Sequence, residues 1–260
     1  MRDTIQWLRS LAFVIQVYLA MAVLGLLFSP WALVSRRGAL VACKLYCRWA
    51  LWTARWMVGI RSELRGNVPH DEVMIAAKHQ SFLDILIIFD AVPHPKFIMK
   101  RELLWTPFIG IYAKRLGCIP VDRGKRGRAV AKLVQDVARE FREPGQLIIY
   151  PQGTRVPPGE YRPYKIGPAI LYANLKQPCV PAATNVGLFW PKKGIMRRPG
   201  RAVVEFLDPI APGMDRNAFM REIEIRIETR SNALMREAGF DPETRQWKTP
   251  TPGGGRTAAD

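Results

Sequence analysis

Val73-Met74-Ile75-Ala76-Ala77-Lys78-His79-Gln80-Ser81-Phe82-Leu83-Asp84-Ile85-Leu86-Ile87-Ile88-Phe89 holds the pattern on which the fold turns. A short apolar, β-prone run ends at Ala77, a polar turn follows, and a second apolar run is long enough for a buried helix. His79 and Asp84 therefore stand five residues apart across a strand-to-helix turn. If Ser81 caps the helix, Asp84 falls in its first turn, and helical side chains lean toward the amino terminus, so its carboxylate points back at His79. Such a pair suits a general base, because the carboxylate fixes the imidazole tautomer and stabilises the imidazolium once a proton is taken. The same residues also admit a purely structural reading, since Ser81-x-x-Asp84 resembles a capping box.

Outward from this stretch, short apolar runs alternate with helical ones, which predicts an α/β domain. Strands are expected at Val73–Ala77, Phe97–Met99, Cys118–Val121, Gln146–Tyr150, Val180–Thr184 and Ala202–Leu207. A helical apolar stripe runs from Ala129 to Phe141, and a further helix is expected from Asp215 to Ala238. Two expected strands end in cationic turns. Gly117-Cys118-Ile119-Pro120-Val121-Asp122-Arg123-Gly124-Lys125-Arg126-Gly127-Arg128 runs into a loop whose glycines let backbone and guanidinium groups approach a phosphate. Leu147-Ile148-Ile149-Tyr150-Pro151-Gln152-Gly153-Thr154-Arg155 offers Thr154 and Arg155 as oxyanion ligands, with Gly153 suited to the turn. With His79 and Asp84 at a third strand end, these loops predict a polar site along one edge of the sheet.

The amino terminus differs in kind. Between Arg9 and Arg36 lie 26 uncharged residues, and Leu11 to Phe28 carries only Gln16 as a strongly polar group, enough for one membrane helix. The cationic flank after the run (Arg36, Arg37, Lys44, Arg48, Arg55) outweighs that before it, which puts the following domain on the cytoplasmic side. From Arg37 to Ile60, a period of about 100° per residue places Arg37, Lys44, Arg48 and Arg55 on one stripe beside Trp49, Trp52 and Trp56. That pattern predicts an interfacial helix with cations toward headgroups and tryptophans at the boundary. The expected organisation is membrane-anchoring and interfacial helices over 1–62, an α/β domain over 63–240, and a disordered Pro/Gly-rich tail over 241–260.

Composition narrows the partners. The 39 Lys and Arg against 22 Asp and Glu leave a formal charge of +17. Such an excess calls for a polyanion, and two membrane-seeking segments favour lipid over nucleic acid. With four cysteines lacking a C-x-x-C pair and three histidines, no zinc or redox motif can be spelled.

Taken together, these residues resemble the lysophosphatidate (1-acyl-glycerol-3-phosphate) acyltransferase family. His79 to Asp84 matches its H-x4-D motif, and Val121-Asp122-Arg123 is similar to its I-D-R-like triplet. Tyr150-Pro151-Gln152-Gly153-Thr154-Arg155 is similar to F-P-E-G-T-R, and Val180-Pro181-Ala182-Ala183 to the V-P-rich strand. Met99-Lys100-Arg101-Glu102-Leu103 resembles the K-x-E-L segment. Lys78 departs from the common Asn before the histidine, and Gln152 from the usual Glu of the third motif, so position 152 lacks a carboxylate.

The resemblance implies a mixed sheet flanked by helices, of the glycerol-phosphate acyltransferase kind. It implies acyl transfer from acyl-coenzyme A or acyl carrier protein to the sn-2 hydroxyl of lysophosphatidate, with no metal or organic cofactor. His79 and Asp84 would be catalytic. Lys100, Arg123 and Arg155 would hold phosphate, beside Gln152, Gly153 and Thr154. Backbone N–H groups after Ser81 would aid the oxyanion, and Ser81 itself is the alternative, covalent acyl carrier. Glycerol-3-phosphate or a lyso-ornithine lipid are alternative acceptors, and a non-catalytic membrane-surface protein is the reading from another class.

Overall fold

The computed structural model describes residues 2–121, 137 and 145–247. Arg123 and its loop, and all but Val137 of the helix expected over Ala129–Phe141, lie outside the described residues.

The sheet comprises β1 (Ile60–Arg65), β2 (Met74–Ala77), β3 (Pro95–Lys100), β4 (Ile119–Val121), β5 (Gln146–Ile149), β6 (Cys179–Thr184) and β7 (Gly200–Phe206), in the order β1-β7-β6-β2-β5-β3-β4. Strands β6, β2, β5, β3 and β4 are mutually parallel, while β7 is antiparallel to β6 and carries β1 parallel to itself. All six expected strands form, with ends shifted by at most two residues. The carboxyl ends of five parallel strands share one edge, the place where ligands sit in open α/β sheets.

Strands β2, β5 and β6 are buried along their whole length because helices cover both faces. Alternation sorts their side chains. Ile75, Ala77, Ile148, Val180 and Ala182 pack toward Leu83, Leu86, Ala50 and Phe13, on helices α4 (Leu83–Ala91), α3 (Arg36–Thr53) and α1 (Arg2–Leu27). Met74, Ala76, Leu147, Ile149 and Cys179 pack toward Tyr172, Phe219, Ile223 and Ile227, on α6 (Gly167–Leu175) and α7 (Arg216–Glu237). Helix α7 matches its expected limits, with Asp215 as the cap accepting from the N–H groups of Asn217 and Ala218. On the α3 side of the sheet, α2 (Ser29–Val34) follows α1 and α5 (Ile109–Arg115) precedes β4.

The amino-terminal helices depart from expectation in two respects. α3 passes into a π-helical turn, Ala54–Val58, and ends at Gly59 with φ 76°, so Ile60 enters β1 rather than continuing an interfacial helix. β1 therefore straddles residue 62, where composition divides anchor from domain. The cationic stripe of α3 also turns inward in part. Lys44 donates to the carbonyls of Asp90 (2.9 Å) and Val92 (2.8 Å), and Arg48 pairs with Asp90 at 2.9 Å. Lys44 thus caps the negative end of α4, while Arg48 pairs with a carboxylate there and stays two-thirds exposed. The tryptophans do face outward. Trp49, Trp52 and Trp56 form a ladder at centroid spacings of 5.4 and 6.0 Å, and the last is 74% exposed.

Helix α1 is long and apolar enough to cross a membrane and exposes Leu8, Ile15, Tyr18, Leu19, Val23, Leu26 and Leu27. Its opposite face is pinned. Gln6 donates to the carbonyls of Val58 and Arg197, Ser10 accepts from Arg197 N–H at 2.9 Å, and Gln16 bonds both Thr53 and Trp49. Between these polar pins Phe13 meets Trp190 edge-on at 5.2 Å, and Trp190 in turn meets Phe82 at 6.0 Å. At the other terminus order extends past 241. β8 (Phe240–Asp241) pairs with β9 (Gln246–Trp247), and Trp247 packs on Phe240 and Phe189. Residues 248–260 lie outside the described residues.

Candidate active site

His79 stands just beyond β2 at the carboxyl edge of the sheet. Its Nδ1 lies 2.8 Å from Asp84 Oδ1, in the first turn of α4. Asp84 is fully buried, and its other oxygen accepts from the backbone N–H groups of Gln80 (2.9 Å) and Ser81 (2.8 Å). Tyr150, just past β5, donates its hydroxyl to Asp84 Oδ1 at 3.2 Å. Four donors thus converge on one carboxylate, which satisfies it as an anion out of water. Because that carboxylate only accepts, Nδ1 of His79 carries the proton and the neutral ring keeps its lone pair on Nε2. The His79 side chain is 12% exposed, so the ring edge reaches the surface while its partner does not.

Tyr150 also stacks on the His79 ring, with centroids 3.9 Å apart and planes within 17°. Burial beside the Asp84 carboxylate pushes its phenol well above the ordinary value, so it remains a donor. Sequence reading quotes Tyr150 within the third motif without giving it this role. Ser81 is also fully buried, and its Oγ accepts from Leu83 N–H at 3.1 Å. Contacts of the capping kind and the His79–Asp84 contact thus coexist in one turn, made by different atoms. A covalent role for Ser81 fits poorly with that burial. The N–H groups of Gln80, Ser81 and Leu83 are engaged within the turn itself.

The turn after β5 sits against this loop, with Val156 N–H donating to the His79 carbonyl at 2.8 Å. Gly153 has φ 68°, and a Cβ there would meet Lys165 Nζ at 2.8 Å, so the turn requires glycine. Thr154 and Arg155 are half-buried beside it. Gln152 is buried and turned inward, its amide donating to the Arg162 carbonyl at 3.1 Å. Lys100 ends β3 on the same edge, but its ammonium lies on Glu102 at 2.9 Å.

Lys192, not singled out from the sequence, donates to the Arg155 carbonyl at 3.0 Å. Its amine is held below the ordinary value by loss of solvation and by Arg155, Arg162 and Lys193 around it. Glu160 offsets that crowding of positive charge in part. Lys192 lies in the loop after β6, outside every motif, so no spacing rule points to it.

Residues 59–185 match the family model Acyltransferase. That stretch, just under half of the chain, is similar to the acyltransferase family. The match opens at the start of β1 and closes just past β6, so it takes in His79, Asp84 and the Tyr150–Arg155 turn but leaves out Lys192 and all of α7. Two relatives are similar to the chain, the 1-acyl-sn-glycerol-3-phosphate acyltransferase of Pseudomonas aeruginosa (34% identity over 157 residues, 60% of this chain and 61% of that protein) and 1-acyl-sn-glycerol-3-phosphate acyltransferase alpha of Mus musculus (29% over 181 residues, 67% and 64%). The matched region spans somewhat over three-fifths of the length of these curated relatives. In fold, the chain is similar to the crystal structure of the 1-acyl-sn-glycerophosphate (LPA) acyltransferase, PlsC, from Thermotoga maritima. The TM-score is 0.74 at 19% identity, covering 90% of this chain and 99% of that one.

Proposed function

We propose that this protein moves a fatty acyl group from an acyl thioester, on coenzyme A or acyl carrier protein, to the sn-2 hydroxyl of lysophosphatidate, forming phosphatidate at the cytoplasmic face of a membrane. The observation that carries the reading is the His79 ring, locked by Asp84 and Tyr150 so that Nε2 is the free base at the sheet edge. Nε2 takes the proton of the acceptor hydroxyl as its oxygen attacks the thioester carbonyl carbon. The imidazolium so formed lies against Asp84, which stabilises the charge as it develops. When the tetrahedral intermediate collapses, the carbon–sulfur bond breaks and the sulfur leaves with the proton held on Nε2, giving a free thiol and an ester. Proton and charge balance, and no external acid is needed.

Arg155, with Lys192, Arg162 and Lys193 about it, supplies positive charge for the acceptor phosphate. Arg123 and Lys100 are assigned to the same phosphate by the resemblance alone. The exposed apolar face of α1 and the tryptophan ladder of α3 favour a lipid acceptor that stays in the bilayer. The cationic flank after α1 favours the cytoplasmic side.

The test is thiol release from acyl-coenzyme A and from acyl carrier protein by the detergent-solubilised chain, with and without lysophosphatidate, beside His79→Ala. Acceptor-dependent release that falls by about 10³-fold in the variant is the expected result. Release unchanged in the variant would remove His79 from the mechanism. A folded, membrane-bound chain that consumes neither donor with any lyso-lipid would favour the non-catalytic reading.

A further inference from the structure

Strand alternation sends His79 toward α4 and its neighbour Lys78 toward α7. Lys78 is 3% exposed, and its ammonium donates to both carboxylate oxygens of Glu228, at 2.6 and 2.7 Å. Glu228 follows the buried Ile227 on α7, and its side chain is 19% exposed. The same carboxylate accepts from the Tyr164 hydroxyl at 2.9 Å and, over a longer 3.4 Å contact, from the Gln152 amide. Both partners of the Gln152 amide nitrogen are acceptors, which fixes the amide orientation and leaves its Oε1 buried without a partner among the described residues. One carboxylate from α7 therefore touches the strand that presents His79, the turn that presents Thr154 and Arg155, and the segment that follows that turn.

Resting on the acyl-transfer reading above, we propose that Glu228 is a positioning residue for that reaction. Its carboxylate holds Lys78 and Gln152 so that the His79 loop and the Tyr150–Arg155 turn keep their mutual placement. Lys78, Gln152 and Glu228 form one interdependent set. A carboxylate at position 152 would face both the Arg162 carbonyl and Glu228, two acceptors, with no proton to share. An amide is the group that suits this position while Glu228 is present, which accounts for the departure from the third motif in the same terms as the lysine before His79. Lys78 depends on the pair as well. Burial draws its amine below the ordinary value, and Glu228, aided more distantly by Glu224, opposes that shift. Removing one member of a buried pair strands the other charge, whereas neutralising both is far less disruptive.

The experiment is a mutant cycle on the full chain in detergent, read by steady-state kinetics and by NMR of the His79 ring, with thermal unfolding to establish that each variant is folded. Glu228→Gln is expected to lower kcat by about tenfold or more with little change in KM for lysophosphatidate, and Glu228→Asp to lose less. Lys78→Asn combined with Glu228→Gln should recover most of the loss. Gln152→Glu should be harmful alone and less harmful in the Glu228→Gln background, a non-additivity expected of groups in one network. His79 ring signals should move in Glu228→Gln and return in the Lys78→Asn/Glu228→Gln pair. A folded Glu228→Gln chain with the parent's kcat and unmoved ring signals overturns the proposal, as do double variants no better than their worse single member. If the parent consumes no donor while the ring signals move and return as described, the acyltransferase reading fails and the positioning role stands.

Discussion

Two side-chain pairs begin at adjacent residues, yet they are built on opposite plans. His79 finds Asp84 five residues away across one turn, and the acid is wrapped by donors from that turn and from Tyr150. Lys78 finds Glu228 150 residues away, and the acid gathers contacts from three separate segments. The local pair keeps one ring nitrogen near the surface and can exchange a proton there. The distant pair buries its ammonium and leaves its acid partly at the surface, and its contacts to three segments suit a tie between them. A single step along a strand, which turns a side chain to the other face, is enough to separate the two uses.

The largest expected effect falls on the local pair. Asp84→Asn should cut kcat on the order of 10³-fold, because an amide can no longer fix the tautomer and offset the imidazolium. Far-UV circular dichroism should remain that of the parent, and a variant with parental kcat would mean that Asp84 serves only as a cap. Next, Arg155→Ala should raise KM for lysophosphatidate by roughly 10- to 100-fold with a smaller change in kcat, measured against a non-phosphorylated lyso-lipid. An equal loss with both acceptors would place Arg155 in the chemistry rather than in phosphate recognition.

Gly153→Ala sharpens the contrast from the side of the tie. A positive φ of 68° costs a residue with a Cβ about 1–2 kcal/mol, and the flexible end of Lys165 must also shift. The expected reading is a lower unfolding midpoint with His79 chemistry retained. Tyr150→Phe should be the mildest change. It keeps the stack on His79 and removes one of the donors to Asp84, for about 1 kcal/mol and a severalfold loss in kcat.

What could be read from the sequence follows the same division. The His79–Asp84 pair, the strands and α7 were legible because their signals are local: a fixed spacing, an apolar run, a capping Asp215. β1 was missed because its alternation is weak and follows directly on a tryptophan-rich helix, with only Gly59 to mark the break. α6 was missed because its nine residues are apolar nearly all round and show no period. Lys44 and Arg48 were set on the correct stripe, but which neighbour that stripe meets depends on the packing of α3 against α4. Glu228 carries no local mark at all. It is one acid among several on a strongly charged helix, and only the tertiary fold selects it.

The aromatic relay from Phe13 through Trp190 to Phe82 bears on how this protein can be handled. Phe13 and Val17 belong to the same apolar cluster as Leu83 and Phe206, so α1 completes the interior formed with the sheet. Trimming residues 2–27 to obtain a water-soluble fragment would uncover Trp190 and the pins at Val58 and Arg197. The shortened product would carry a fresh sticky surface beside its active centre. Detergent or a nanodisc, rather than truncation, is the route to a well-behaved sample.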